Sequence, residues 1–140
     1  MFEHFVQAQD PVYGQVVAEL AAGRKESHWM WFVFPQLAGL GHSSMARRFA
    51  LTGLAEAQAY LAHGVLGPRL TDCTTLVLRH NDRTAHDIFG SPDDLKFRSS
   101  MTLFARAAAQ TKSAAPFGAA LDAFYRGAED ARTLDLLGLA

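Results

Sequence analysis

The sequence predicts an all-α fold, a compact bundle of about six to seven helices with little or no β-structure, spanning residues 1–140 as one domain. Three observations predict it. Apolar residues recur at three- and four-residue spacing through most of the chain, helix start and stop residues bracket those stretches, and no segment alternates as a half-buried strand does. At 140 residues, 49% hydrophobic and 19% charged, the chain has the balance of a packed core, not of a disordered segment.

Asp10 and Pro11 read as a cap and first helical position, and Gly23 as the stop, with Tyr13, Val16, Val17 and Leu20 on one face between them. His28 to Phe34 is too short for its period to separate a helical turn from an extended run. Pro35 ends it, Gln36 to Ser44 reads as a loop with two glycines, and Ser44 caps a short turn through Phe49. A helix follows Thr52, with Leu54, Ala57 and Leu61 in register, and breaks at His63-Gly64. The next runs from Val65 to His80 on a stripe of Leu66, Leu70, Cys73 and Val77, with Pro68 in its first turn. Thr84 to Phe89 makes one further turn before Gly90.

Ser91-Pro92-Asp93-Asp94 is the strongest start signal. Serine is placed to cap, proline to occupy the first turn, and two carboxylates to face the positive end of the helix dipole. Asp94, three residues after Ser91, approximates a capping box. Phe97, Met101, Phe104 and Ala108 form the stripe behind it. After a break around Thr111 to Ala115, Phe117, Leu121 and Phe124 share a helical face, and Asp130 to Leu137 forms a last short helix.

The totals exclude several classes. A net charge of −1 and a pI near 6.6 remove the usual basis for nonspecific nucleic-acid or anionic-membrane binding. Cys73 is the one cysteine, which rules out an intrachain disulfide and cysteine-rich zinc sites, and its apolar helical face makes it core. No signal peptide or membrane span is apparent, so the expected location is cytoplasmic. No phosphate-binding Gly-x-x-x-x-Gly-Lys loop or Gly-x-Gly-x-x-Gly turn occurs, and Met45 spoils a nucleophile elbow at Gly41. The six histidines include no His-x-x-x-His pair, so no metal is expected and no cofactor is implied.

Three polar constellations remain. Ser27-His28 adjoins Trp29 and Trp31, where an imidazole can serve as acid or base and the indoles can stack on a flat ligand; the competing reading is an aromatic core. Lys96, Ser99 and Ser100 approach one helical face, an anion grip with Asp93 or Asp94 as base, against the reading of dipole partners on a solvated face. Arg24 and Lys25 lead into the aromatic run and Gln36 closes it, a flank that suits phosphate beside a ring.

Gly23-Arg24-Lys25, the segment Ser27–Gln36 (SHWMWFVFPQ), Gly39–Gly41, Glu56–Leu61, Leu66–Leu70, Ile88–Lys96 (IFGSPDDLK), Ser99–Phe104 (SSMTLF) and Thr133-Leu134 together carry a resemblance. The chain resembles a small bacterial family of uncharacterised domains, sometimes labelled calpastatin. The resemblance implies a compact, mostly helical domain and no settled activity. The label does not suit the sequence, because an inhibitor of that kind is a flexible segment and this chain has a core.

The expectation is therefore a cytosolic helical domain that binds, and in an enzymatic version hydrolyses, a small anionic ring-bearing molecule such as a nucleotide or an ADP-ribose-like compound. The bond would be glycosidic or a phosphate ester. His28 and Asp94 are the candidate catalytic residues; Trp29, Trp31, Gln36, Lys96, Ser99 and Ser100 are the candidate ligand-binding residues. The alternative is a non-catalytic protein-interaction module whose aromatic run is core or contact surface. Self-association into a homo-oligomer is compatible with both.

Overall fold

Helices account for the secondary structure of the computed structural model, which describes residues 1–109, 111 and 114–139. In chain order they are α1 (Glu3–Gln9), α2 (Tyr13–Ala22), α3 (Met30–Val33), α4 (Ser44–Arg48) and α5 (Leu54–Ala62). Then come α6 (Leu66–Leu78), α7 (Ala85–Phe89), α8 (Asp93–Ala107), α9 (Ala115–Tyr125) and α10 (Ala131–Leu137). The β contribution among the described residues is one isolated parallel bridge, Leu37 to Leu51. Ten described helices exceed the expected count because α1 was not foreseen and because α3 and α4 are too short to show a period.

α8 lies at the centre, packed on α9, α5 and α7, while α6 packs on α9, α5 and α2. The α8 stripe is as expected: Phe97, Met101 and Phe104 are fully buried. Phe97 stacks on Phe89 at 4.6 Å and meets Phe34 edge-on at 5.0 Å, which brings α3 and α7 against the start of α8. Phe104 sits between Tyr60 of α5 and Phe117 of α9. Each such ring contributes about 1.5–3 kcal/mol by leaving water.

Three boundary readings are corrected. Ser43, not Ser44, caps α4, its hydroxyl accepting from Ala46 N–H. Pro92, not Ser91, is the residue flanking α8, and no side chain caps that end; Asp94 N–H reaches the Gly90 carbonyl instead. Val12, not Asp10, flanks α2, because Asp10 ends α1. The capping box appears one helix earlier, where the Thr84 hydroxyl accepts from Asp87 N–H and the Asp87 carboxylate accepts from Thr84 N–H. The break expected at Thr111 to Ala115 falls partly outside the described residues.

Polar contacts fix the two ends of the bundle. Gln9, 2% exposed, donates to the Phe32 carbonyl and to the Tyr60 hydroxyl and accepts from Arg69, joining α1 to α3, α5 and α6. α10 is held differently. Arg98 donates to the carbonyls of Ala128 and Glu129, Arg106 grips the Glu129 carboxylate at 2.6 and 2.8 Å, and Thr102 Oγ1 accepts from Asp130 N–H. Thr133 is the buried residue of that helix.

Candidate functional site

The loop between α2 and α3 is built around one carboxylate. Gly23 ends α2 with φ of 76°, a left-handed conformation that turns the chain back so that Arg24 N–H bonds the Glu19 carbonyl. Lys25 N–H then bonds the Ile88 carbonyl at 2.7 Å, pinning the loop to α7. Inside the turn, Glu19 Oε1 accepts from Glu26 N–H, Ser27 N–H and Trp29 Nε1–H, and Oε2 accepts from the Ser27 hydroxyl. Burial alone would raise the Glu19 pKa, but these donors outweigh it and lower the carboxyl to about 2. Glu19 is therefore ionised and fully engaged at neutral pH.

The first turn of α8 meets this loop. Asp93 lies between two lysines, with Lys25 Nζ at 2.8 Å from one carboxylate oxygen and Lys96 Nζ at 3.4 Å from the other. The Lys25 side chain is only 6% exposed, donates to the Ser27 carbonyl at 2.6 Å, and lies 5.1 Å from the Trp29 ring. Lys96, a quarter exposed, stands 4.9 Å from the Trp31 ring. Asp93 thus ties the two indole-covering ammonium groups together, with the closer contact to Lys25. The adjacent Asp94 carboxylate lies 3.6 Å from His86 Nδ1, and the Tyr125 hydroxyl donates to the Asp94 carbonyl.

The structure brings together Trp31 and Lys96, whereas Asp94, two residues before Lys96 on α8, faces His86 instead. Other candidates are placed elsewhere. Trp29 is 1% exposed with its N–H on Glu19, so its ring is core and offers no face to a ligand. Ser100 is fully buried, and Ser99 is buried with its hydroxyl returned to the Leu95 carbonyl, so neither helps Lys96 grip an anion. Gln36 is half-buried and takes part through its backbone, its carbonyl accepting from Leu51 N–H. His28 is exposed beside Trp29. The sequence reading missed the roles of Glu19, His86 and the Lys25–Asp93 pair. Of the lysine–aspartate–lysine bridge only the Asp93-x-x-Lys96 arm is visible locally, since Glu19, His86 and Lys25 meet their partners through folding.

Among the described residues no three His, Cys, Asp or Glu side chains are grouped to hold a metal ion, and no helix is long and apolar enough to cross a membrane. Fold and site together define an all-helical protein whose conspicuous feature is a lysine–aspartate–lysine bridge beside two tryptophans. The chain belongs to the family described as "Protein of unknown function (DUF1810)", whose model matches residues 1–137. It is similar to the conserved hypothetical protein Rv1873 from Mycobacterium tuberculosis, for which a crystal structure is known. The two share 56% identity over 99% of this chain and 97% of that one, with a TM-score of 0.94. No match was found among curated proteins.

Proposed function

We propose that the chain binds a small anionic, ring-bearing molecule, a nucleotide or an ADP-ribose-like compound, at the edge formed by Trp31 and Lys96. The observation that carries this reading is the Lys96 ammonium 4.9 Å from the Trp31 ring, both groups partly open to solvent. An indole beside a cation suits a base or ring next to a phosphate. Asp93 does not cancel that cation, because its shorter bond goes to the buried Lys25. In the enzymatic version the ligand is hydrolysed at a glycosidic or phosphate-ester bond, with Asp94 and His86, 3.6 Å apart, as the acid–base pair and the exposed His28 as the other candidate.

The test is a titration with nucleotides and ADP-ribose followed by tryptophan fluorescence. Trp31 should carry a saturating change, Lys96→Ala should weaken binding by about tenfold, and Trp31→Phe should remove the signal. Absence of saturation with any of these compounds refutes the reading. A second reading, a non-catalytic interaction module, is supported by the burial of Trp29, Phe32 and Phe34 together with Leu95, 58% exposed beside Lys96. Under it, Leu95→Asp would abolish partner or self-association and no small ligand would bind.

A further inference from the structure

A cavity of about 400 Å³ opens alongside the last turn of α2, and its polar lining includes Gln15, Glu19, Arg24, Glu26 and Arg83. The two guanidinium groups are its cationic charges, with the Glu26 carboxylate in the same lining. Among the described residues the lysine and arginine ion pairs involve Lys25, Lys96, Arg69 and Arg106, and neither Arg24 nor Arg83. Glu19 does not neutralise them at close range, because both its oxygens are turned to Glu26, Ser27 and Trp29.

Arg83 is also held in place. Its Nη1 donates to the Gly23 carbonyl at 3.1 Å, and a Cβ at position 23 would lie 2.8 Å from that same nitrogen. The guanidinium therefore fills space that only glycine leaves, and its remaining N–H groups are ordered before any ligand arrives. Arg24, exposed and one residue past the turn, is the free arm of the pair.

We propose that this cavity binds a phosphate group, in a phosphate monoester or pyrophosphate, between Arg24 and Arg83. Guanidinium forks match phosphate oxygens in pairs, and a dianion is shared by two forks better than a carboxylate is. Glu26 in the same lining opposes the anion and limits its affinity. The site is separate from the Trp31–Lys96 edge and does not depend on it.

The two indoles distinguish the sites in one experiment. Trp29 Nε1–H bonds Glu19, which lines the cavity, whereas Trp31 lies beneath Lys96. In a titration of ¹⁵N-labelled full-length chain with inorganic pyrophosphate, the Trp29 indole resonance should shift and saturate. Arg24→Ala, a change at an exposed position, should weaken this at least about tenfold, the loss of one charge-assisted contact. Glu26→Gln should tighten it, and Lys96→Ala should leave it unchanged. The proposal is overturned if the Trp29 signal stays still, if Arg24→Ala leaves the curve intact, or if acetate produces the same shift at the same concentration. Binding that Lys96→Ala abolishes and Arg24→Ala spares would overturn it while favouring the Trp31 edge.

Discussion

Replacing Glu19 with glutamine separates charge from shape at the centre of the α2–α3 loop. The amide oxygen can stand where Oε1 accepts from Glu26, Ser27 and Trp29, and the amide nitrogen can face the Ser27 hydroxyl, which then accepts. Geometry survives and ionisation is lost. A carboxyl lowered from 4.5 to about 2 corresponds to at most ~3 kcal/mol of stability at neutral pH. Glu19 lines a cavity that opens to solvent, and screening there reduces this to about 2 kcal/mol. The sign follows from the lowered value. The contribution is complete above pH 4.5 and disappears as pH falls toward about 2, where the native carboxyl takes its proton. Urea unfolding of wild type and Glu19→Gln should therefore differ by about 2 kcal/mol near pH 7, and the gap should close by about pH 2. Glu19→Ala, which strands the buried indole N–H and two backbone donors, should cost about 3–5 kcal/mol near pH 7, and that cost should shrink by the same ~2 kcal/mol toward pH 2. A Glu19→Gln gap that is equal at both ends of the range would refute the account, since it would assign the loss to packing.

Other outcomes test the fold around the site. Gly67→Ala should cost at least about 3 kcal/mol or prevent folding, because the new Cβ would lie 2.1 Å from the Leu61 backbone oxygen, which cannot rotate away; thermal unfolding measures it. Ser100→Ala should be neutral or stabilise by up to about 1 kcal/mol, because the buried hydroxyl has no partner among the described residues; denaturant midpoints decide it. Cys73, buried and pushed up to about 12 chiefly by desolvation, should resist alkylation near pH 8 until the chain unfolds, as mass spectrometry after a timed exposure to iodoacetamide would show.

Most of the helices were readable because their apolar faces are long. Leu66, Leu70, Cys73 and Val77 are all buried in α6, and Phe97, Met101 and Phe104 in α8, at the spacing that predicted them. α3 was undecidable because four residues complete scarcely one turn. At Ser91 the dipole reading of Asp93 and Asp94 was half of the matter, since Asp93 also serves two lysines and Asp94 faces a histidine from α7. Trp29 was misread for a similar reason. Nothing in the residues flanking it reveals that a glutamate of the preceding helix will take its N–H. Local pattern reports which face is buried; it does not report which charges meet across the core.

The polar fastening of α10 has a thermodynamic consequence. A helix that buries little apolar surface, and is clasped by arginines to carbonyls and one carboxylate, has a local opening free energy well below that of the α5–α8–α9 core. Its amides should exchange with deuterium early, and sooner still in high salt, as screening loosens the Arg106–Glu129 clasp. Denaturation of this protein should thus begin as an unzipping at one extremity, with the aromatic interior intact until a later, cooperative step.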